Sequence, residues 1–344
     1  MSRPALDPEL NTLLAGMPLV QEITPELLTD LRGMTAVPVE PLLVGRALNR
    51  REITVPVSGP VSGPVSGPVS GLVPGQEGAR IPMTILTPTD AGAEPGDRAG
   101  APCVYWIHGG GMIMGDRFSQ LDIPLEWLDR LGAVVVTVDY RLAPEAGGTT
   151  PVEDCYQGLL WLAEHAAELG IDPDRIVVAG ASAGGGLAAG VTLIARDRGT
   201  PALAAQVLIC PMLDHRNTTA SSRQYAGEPG VWTRETNVFA WKALLGDLPD
   251  DQVPAYASPA RADDLSGLPT TYVDAGSAEV FRDEDVEYAT RIWAAGGQAE
   301  LHVWAGGFHG FDALFPEAAL SATARRTRTD WLTRTLTRPE PARD

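Results

Sequence analysis

The sequence predicts an α/β fold in which a mostly parallel sheet of about eight strands carries helices on both faces and a helical cap. Three observations predict it. Short, continuously apolar runs recur along the chain, segments of helical periodicity separate them, and glycine-rich turns directly follow several of the runs. A strand that is apolar at every position is buried on both faces, as in a parallel sheet covered by helices.

Apolar residues at helical spacing (Leu10, Leu13, Leu14, then Leu27, Leu28, Leu31) predict two short helices within residues 5–34, the second opened by Thr24 as N-cap and Pro25 at the first helical position. A first strand is expected near 51–56. From Val57 to Gly71 the unit Val-Ser-Gly-Pro recurs with period four; proline and glycine at that density exclude a helix and deprive a strand of ladder donors, so 57–71 reads as a flexible surface loop. Strands follow near 80–86, 102–107, 133–138, 175–179, 205–210, 270–275 and 300–305, with helices at 152–168, 184–197 and 284–295. The segment 212–262 breaks this rhythm. It carries Trp232, Phe239, Trp241, Leu244 and Leu245 without a good strand, and reads as a helical insertion. The expected division is therefore a cap from 1–45 and 212–262 over a core from 46–211 and 263–344.

With 344 residues, 44% hydrophobic and 20% charged, the chain builds a large core and lacks the composition of a disordered protein. Its 26 basic and 44 acidic residues give a net charge of −18, which disfavours nucleic acid and anionic membranes as partners. The expected partner is a small molecule, and a homodimer is compatible with the sequence. Cys103, Cys155 and Cys210 are odd in number, sit among apolar neighbours and lack CxxC spacing, arguing against disulfides or structural zinc and for a reducing, cytoplasmic setting. No export signal or membrane span is expected.

In an open parallel sheet, ligands bind beyond the carboxyl ends of the strands. Four such ends carry chemistry: His108-Gly109-Gly110-Gly111, Gly180-Ala181-Ser182-Ala183-Gly184, Gly276-Ser277-Ala278-Glu279 and Gly306-Gly307-Phe308-His309-Gly310. G-x-S-x-G is a weak signal alone, since a serine can simply cap a helix. Here Ser182 lies between the run Ile176-Val177-Val178-Ala179 and a helix of small residues, the strand–turn–helix setting that exposes a nucleophilic hydroxyl. A serine hydroxyl needs a base, and His309 is the candidate; Ser182, Glu279, His309 follow the chain order Ser, acid, His. His165, His215 and His302 read as surface or packing residues, and His108 as a buttress of its glycine loop. Glu279 is favoured as the acid that orients the histidine; Asp283, which looks like a helix N-cap, and Asp274, still within a strand, are the alternatives. The amides of Gly109, Gly110 and Ala183 are the candidate donors to an oxyanion. No metal-ligand set, dinucleotide fingerprint or phosphate loop appears, so no cofactor is expected.

Taken together, His108-Gly109-Gly110-Gly111, the run Asp139 to Glu145, Gly180 to Gly185, Glu279-Val280-Phe281-Arg282-Asp283-Glu284 and His309-Gly310-Phe311 resemble the hormone-sensitive-lipase-like (bacterial family IV) esterases of the α/β-hydrolase fold, from about residue 80 to the end. The resemblance implies a carboxylesterase for short- to medium-chain esters, with Ser182 as nucleophile, His309 as base and the cap over an acyl pocket. Amide or carbamate hydrolysis by the same residues is the alternative, and a non-catalytic binder on the same scaffold a remote one. Glu279 stands where the family commonly has Asp, Val280-Phe281 where it has Pro-Leu, and Ala181 where it usually has Asp or Thr. The Val-Ser-Gly-Pro repeat lies outside the family pattern.

Overall fold

A computed structural model describes residues 2–35, 38–57, 78–89 and 100–337; the expected repeat loop, apart from Val57, lies outside them. The chain opens with helices α1 (Pro8–Leu14), α2 (Pro25–Thr35) and α3 (Glu40–Leu43), then strands β1 (Leu48–Pro56), β2 (Arg80–Pro88) and β3 (Ala101–Ile107). Helix α4 (Asp122–Leu131), β4 (Val134–Val138), α5 (Thr150–Glu164), β5 (Ile171–Ala181), α6 (Ala183–Arg198) and β6 (Ala205–Ile209) follow. Two helices, α7 (Ala220–Gln224) and α8 (Arg234–Leu245), occupy the insertion; β7 (Thr270–Gly276), α9 (Arg282–Ala294), β8 (Ala299–Trp304), α10 (Phe311–Leu314) and α11 (Ala319–Leu336) complete the chain. None of the helices among the described residues is long and apolar enough to cross a membrane.

The eight strands form one sheet in the order β1-β2-β4-β3-β5-β6-β7-β8. The pairs β1/β2 and β2/β4 are antiparallel and all the others parallel. Alternation in β3 shows how the sheet joins two cores. Cys103, Tyr105 and Ile107 face the layer containing Leu159 of α5 and Leu187 of α6, whereas Val104 and Trp106 face Trp127 of α4 and Trp331 of α11. Helix α6 fits close against the sheet because its residues are small; thirteen of its sixteen are buried.

Element boundaries depart from the sequence reading where tertiary contacts decide them. β5 begins at Ile171 because that residue pairs with Ala101, ahead of the apolar run. The helix expected at 152–168 ends at Glu164. His165 leaves helical geometry there and its ring bonds back to the Trp161 carbonyl at 2.8 Å, satisfying one of the last-turn acceptors. Thr24 caps α2 as expected, accepting the Leu27 N–H at 3.3 Å.

The N-terminal segment and the 212–262 insertion meet. Gly230 N–H bonds to the Val20 carbonyl at 3.1 Å, Thr233 Oγ1 donates to the Gln21 carbonyl at 2.6 Å, and Arg3 Nε donates to the Gln224 carbonyl at 2.6 Å. Asp7 N–H bonds to the Gly306 carbonyl at 3.0 Å, tying the same segment to the loop after β8.

One buried ion network fastens α11 to the sheet. Arg328 donates to Asp274 of β7 at 2.8 Å and to Asp312 of α10 at 3.0 Å, with all three side chains no more than 3% exposed. Replacing the arginine strands two buried carboxylates without a counter-charge, which typically costs about 3–5 kcal/mol. Arg328→Met is expected to lower the free energy of unfolding by about that amount in urea titration; a change below about 1 kcal/mol would show the carboxylates relaxing to solvent.

Candidate active site

Four loops meet at the carboxyl ends of β3, β5, β7 and β8. Ser182 ends the turn between β5 and α6 with φ 56° and ψ −121°, a region that residues with a Cβ seldom enter. Three backbone hydrogen bonds hold it there: Ser182 N–H to the Ile209 carbonyl at 2.8 Å, and the N–H groups of Met212 and Gly186 to the Ser182 carbonyl at 2.9 and 3.0 Å. The turn also needs glycine on either side. A Cβ on Gly180 would strike the Gly184 carbonyl, and one on Gly184 would strike the Ile107 carbonyl of β3.

His309 reaches the serine from the loop after β8. Its Nε2 lies 2.9 Å from Ser182 Oγ, and its Nδ1 lies 2.6 Å from Glu279 Oε2. Glu279 is 1% exposed and its other oxygen accepts the Gly276 N–H at 3.1 Å, so the carboxylate is held from both ends. Serine Oγ, imidazole and carboxylate thus form one continuous chain of contacts, an arrangement able to move the serine proton and orient the ring that takes it.

The alternative acids lie elsewhere. Asp283 falls in the first turn of α9 rather than at its N-cap, which is Phe281, and accepts the Ser221 N–H at 2.7 Å and Arg282 Nε at 2.8 Å. Asp274 is committed to Arg328 and to Trp304 Nε1 at 3.1 Å. The other histidines are also engaged. His215 contacts Ser258 and Asp250, and His302 stacks between Tyr272 and Trp304.

The glycine loop after β3 corrects one expectation. Gly109 N–H is not a spare donor, because it points to Gln120 Oε1 at 2.9 Å. The N–H groups of Gly110, Gly111 and Ala183 have no such partner among the described residues. The sequence reading missed Gln120 because the residue lies outside every motif; its position eleven residues downstream becomes meaningful only when the loop folds back. His108 stacks on Tyr140 with centroids 4.3 Å apart and its ring contacts the Gly109 carbonyl at 2.7 Å, a buttress as expected. Tyr140 OH donates to the His108 carbonyl at 3.0 Å, and neighbouring Arg141 forms a forked pair with buried Asp154 at 2.8 and 2.6 Å. The run from Asp139 to Glu145 therefore braces the loop from behind.

A cleft of about 110 Å³ opens beside His309 and Glu279, with mainly apolar walls that include Leu6, Leu19, Tyr225 and Trp232. Trp232 stands 6.1 Å from the His309 ring and fills the space beside Gly111. Trp241 and Phe239, from the same insertion, do not line the cleft: Trp241 packs edge-on against His215 and Phe239 is partly buried against the main core.

Behind the site lies a layer of buried acid. Glu284 accepts the N–H groups of Leu213 and Asp214 at 2.8 and 3.1 Å, anchoring the loop that leaves β6. Asp285 is fully buried and neither of its oxygens has a hydrogen-bond partner among the described residues. Burial first, then the charges of Glu279 and Glu284, holds its carboxyl well above the usual range.

Comparison with known proteins agrees with this fold. Residues 104–313 match a family described as having the alpha/beta hydrolase fold. The chain is 32% identical to esterase LipI of Mycobacterium tuberculosis over 330 residues, covering 94% of this chain and 93% of that protein. It is 35% identical to carboxylesterase NlhH of the same organism, over 71% of this chain and 76% of the relative. Among solved structures, a bacterial heroin esterase superposes with a TM-score of 0.81 at 36% identity, covering 97% and 99% of the two chains. The chain belongs to this α/β-hydrolase family, in its hormone-sensitive-lipase-like group. It is an enzyme of the carboxylic-ester hydrolase class.

The state of Asp285 has a measurable consequence. A carboxyl that keeps its proton in the folded chain but loses it above about pH 4 on unfolding makes stability fall as pH rises beyond that value. Asp285→Asn removes this linkage. Its melting temperature is expected to rise relative to the parent as pH goes from 5 to 8, and a difference independent of pH would mean that Asp285 is charged in the fold.

Proposed function

We propose that the chain hydrolyses short- to medium-chain carboxylic esters through an acyl-enzyme, with Ser182 as nucleophile, His309 as base and Glu279 as the acid that orients it. The observation that carries this reading is the unbroken contact from Ser182 Oγ through His309 to Glu279. Ser182 Oγ donates its proton to His309 Nε2 as it attacks the ester carbonyl. Glu279 Oε2 accepts the Nδ1–H, fixing the tautomer and stabilising the imidazolium. The negative charge on the former carbonyl oxygen is met by the amides of Ala183, Gly110 and Gly111, the last taking the place first expected of Gly109. Collapse passes the proton from His309 to the departing alkoxide, and a water deprotonated by the same nitrogen then releases the acid.

The segments 1–45 and 212–262 act in this proposal as a cap over the core formed by 46–211 and 263–344. The hydrogen bonds joining the two cap segments, and the contribution of both to the walls of the cleft, support the division. A cleft of about 110 Å³ with Trp232 beside the histidine suits a small acyl or alcohol group better than a long chain. The mouse relative named arylacetamide deacetylase, 31% identical over 68% of this chain, keeps amide substrates as the second reading. Relative turnover of matched p-nitrophenyl esters and anilides separates the two.

Labelling with a fluorophosphonate followed by peptide mapping is expected to place a single adduct on Ser182. Ser182→Ala is expected to lower kcat by about 10⁴-fold or more with an unchanged melting temperature; retention of one per cent of the activity would remove Ser182 from the role. Glu279→Gln is expected to lower kcat by about 10²–10⁴-fold, against less than about tenfold for Asp283→Asn. The opposite ranking would transfer the acid's role to Asp283.

A further inference from the structure

Cys210 is the one buried thiol that the reaction leaves unused yet that lies against its machinery. It follows β6 directly, with φ 38°, and its N–H bonds to the Asp274 carbonyl at 2.6 Å. Its Sγ, one ligating atom of His309 and one carboxylate oxygen of Glu279 all lie within 4.8 Å of one another, and all three residues are buried. Cys103 and Cys155, by contrast, sit fully buried in the main core. We infer that Cys210, Glu279 and His309 form an inhibitory site for a thiophilic divalent cation such as Zn²⁺ or Cd²⁺. The consequence for turnover rests on the proposed roles of Glu279 and His309; the binding itself does not.

The donor set and its surroundings fit such an ion. Thiolate, imidazole and carboxylate are the three protein ligand types of zinc, and three of them leave a fourth position for water. Tetrahedral coordination at zinc bond lengths sets the donors about 3.3–3.6 Å apart. The present spacing therefore closes by side-chain rotation, while the Glu279–His309 contact opens by less than about 1 Å. Hard cations such as Mg²⁺ prefer all-oxygen sites and should not compete. The neighbourhood is acidic, with Asp274 and Asp312 buried nearby and Arg328 shared between them. An ion can reach the cluster because Glu279 and His309 also line the cleft.

The chemistry of binding accounts for inhibition. Sγ exchanges its proton for the metal, releasing one H⁺ to solvent. The ion takes Nδ1 of His309 in place of the proton shared with Glu279, and that proton moves to Nε2 as the ring changes tautomer. Nε2 then carries hydrogen and can no longer accept the proton of Ser182. Burial and the charges of Glu279, Asp312, Asp285 and Asp274 hold the free thiol well above the ordinary cysteine range, so without metal it stays a neutral, unreactive filler.

The test titrates CdCl₂ into reduced, EDTA-treated protein and follows the ultraviolet thiolate-to-cadmium charge-transfer band. One equivalent is expected to saturate the band in the parent and in Cys103→Ala, and the band is expected to vanish in Cys210→Ala. If Cys210→Ala does not fold, Cys210→Ser serves in its place. In parallel, ZnCl₂ is expected to inhibit hydrolysis of p-nitrophenyl butyrate reversibly with EDTA, whereas MgCl₂ leaves the rate unchanged. The Zn²⁺ midpoint, measured against each protein's own metal-free rate, should rise at least tenfold in the Cys210 variant. A band that persists without Cys210, no band in the parent, or an unchanged midpoint would each overturn the site. The band needs no turnover, so a chain that failed to hydrolyse esters or to be labelled at Ser182 would disprove the proposed function while leaving this result readable.

Discussion

The strained turn at Ser182 is the constraint around which the rest of the molecule is arranged. Holding a non-glycine residue at φ 56° costs on the order of 1–3 kcal/mol. That cost persists only because the surroundings over-determine it. Parallel strands β3 and β6 flank β5, and their outgoing loops press on the turn from both sides through the Ile107 carbonyl and the Ile209 carbonyl. Small residues in α6 let the helix start directly after the serine and aim its first N–H groups at the same space. The strain thus depends on the whole sheet and could not be kept by the five-residue motif in isolation.

Charge is organised around the turn in a way that a count of acidic residues does not convey. Glu279 is sequestered yet doubly bonded, Asp274 and Asp312 share one buried arginine, and Asp285 has no hydrogen-bond partner among the described residues. A protonated, neutral Asp285 is the state that costs least in such a place, because the ionised form would add a further negative charge to a low-dielectric region already holding several. Burial pushes Asp285 toward its protonated form, and it pushes Glu284 the same way despite that residue's two amide bonds. The acidic field that keeps the Cys210 thiol protonated is the same field that would attract a divalent ion to it.

The motifs were legible because their chemistry demands particular residue types at short range. Ser182 between glycines and His309 after a strand could be selected from spacing alone, with Glu279 favoured over Asp283 and Asp274, and the geometry brings Ser182, His309 and Glu279 into contact. The residues that escaped notice act across long separations. Gln120 binds Gly109 from the far end of a loop, Glu284 pins a backbone that precedes it by about seventy residues, and Cys210 approaches Glu279 only because β6 and β7 are neighbours in the sheet. Trp232 and Trp241 illustrate the same limit. Nine residues apart and equally aromatic, one walls the cleft and the other packs against His215, a difference set by how α8 docks.

By itself the sequence determined the α/β class, the strands and the positions of α1, α2, α5, α6 and α9, since a period of two or 3.6 and runs of continuous burial are local properties that side-chain chemistry writes directly into the chain. It also determined which residue types could carry acyl transfer. The tertiary structure alone decided which acid meets His309, which glycine amides remain free and which aromatic ring reaches the cleft. Those outcomes depend on angles and distances of a few ångströms between segments far apart in the chain, and only packing of the sheet and its covering helices sets them.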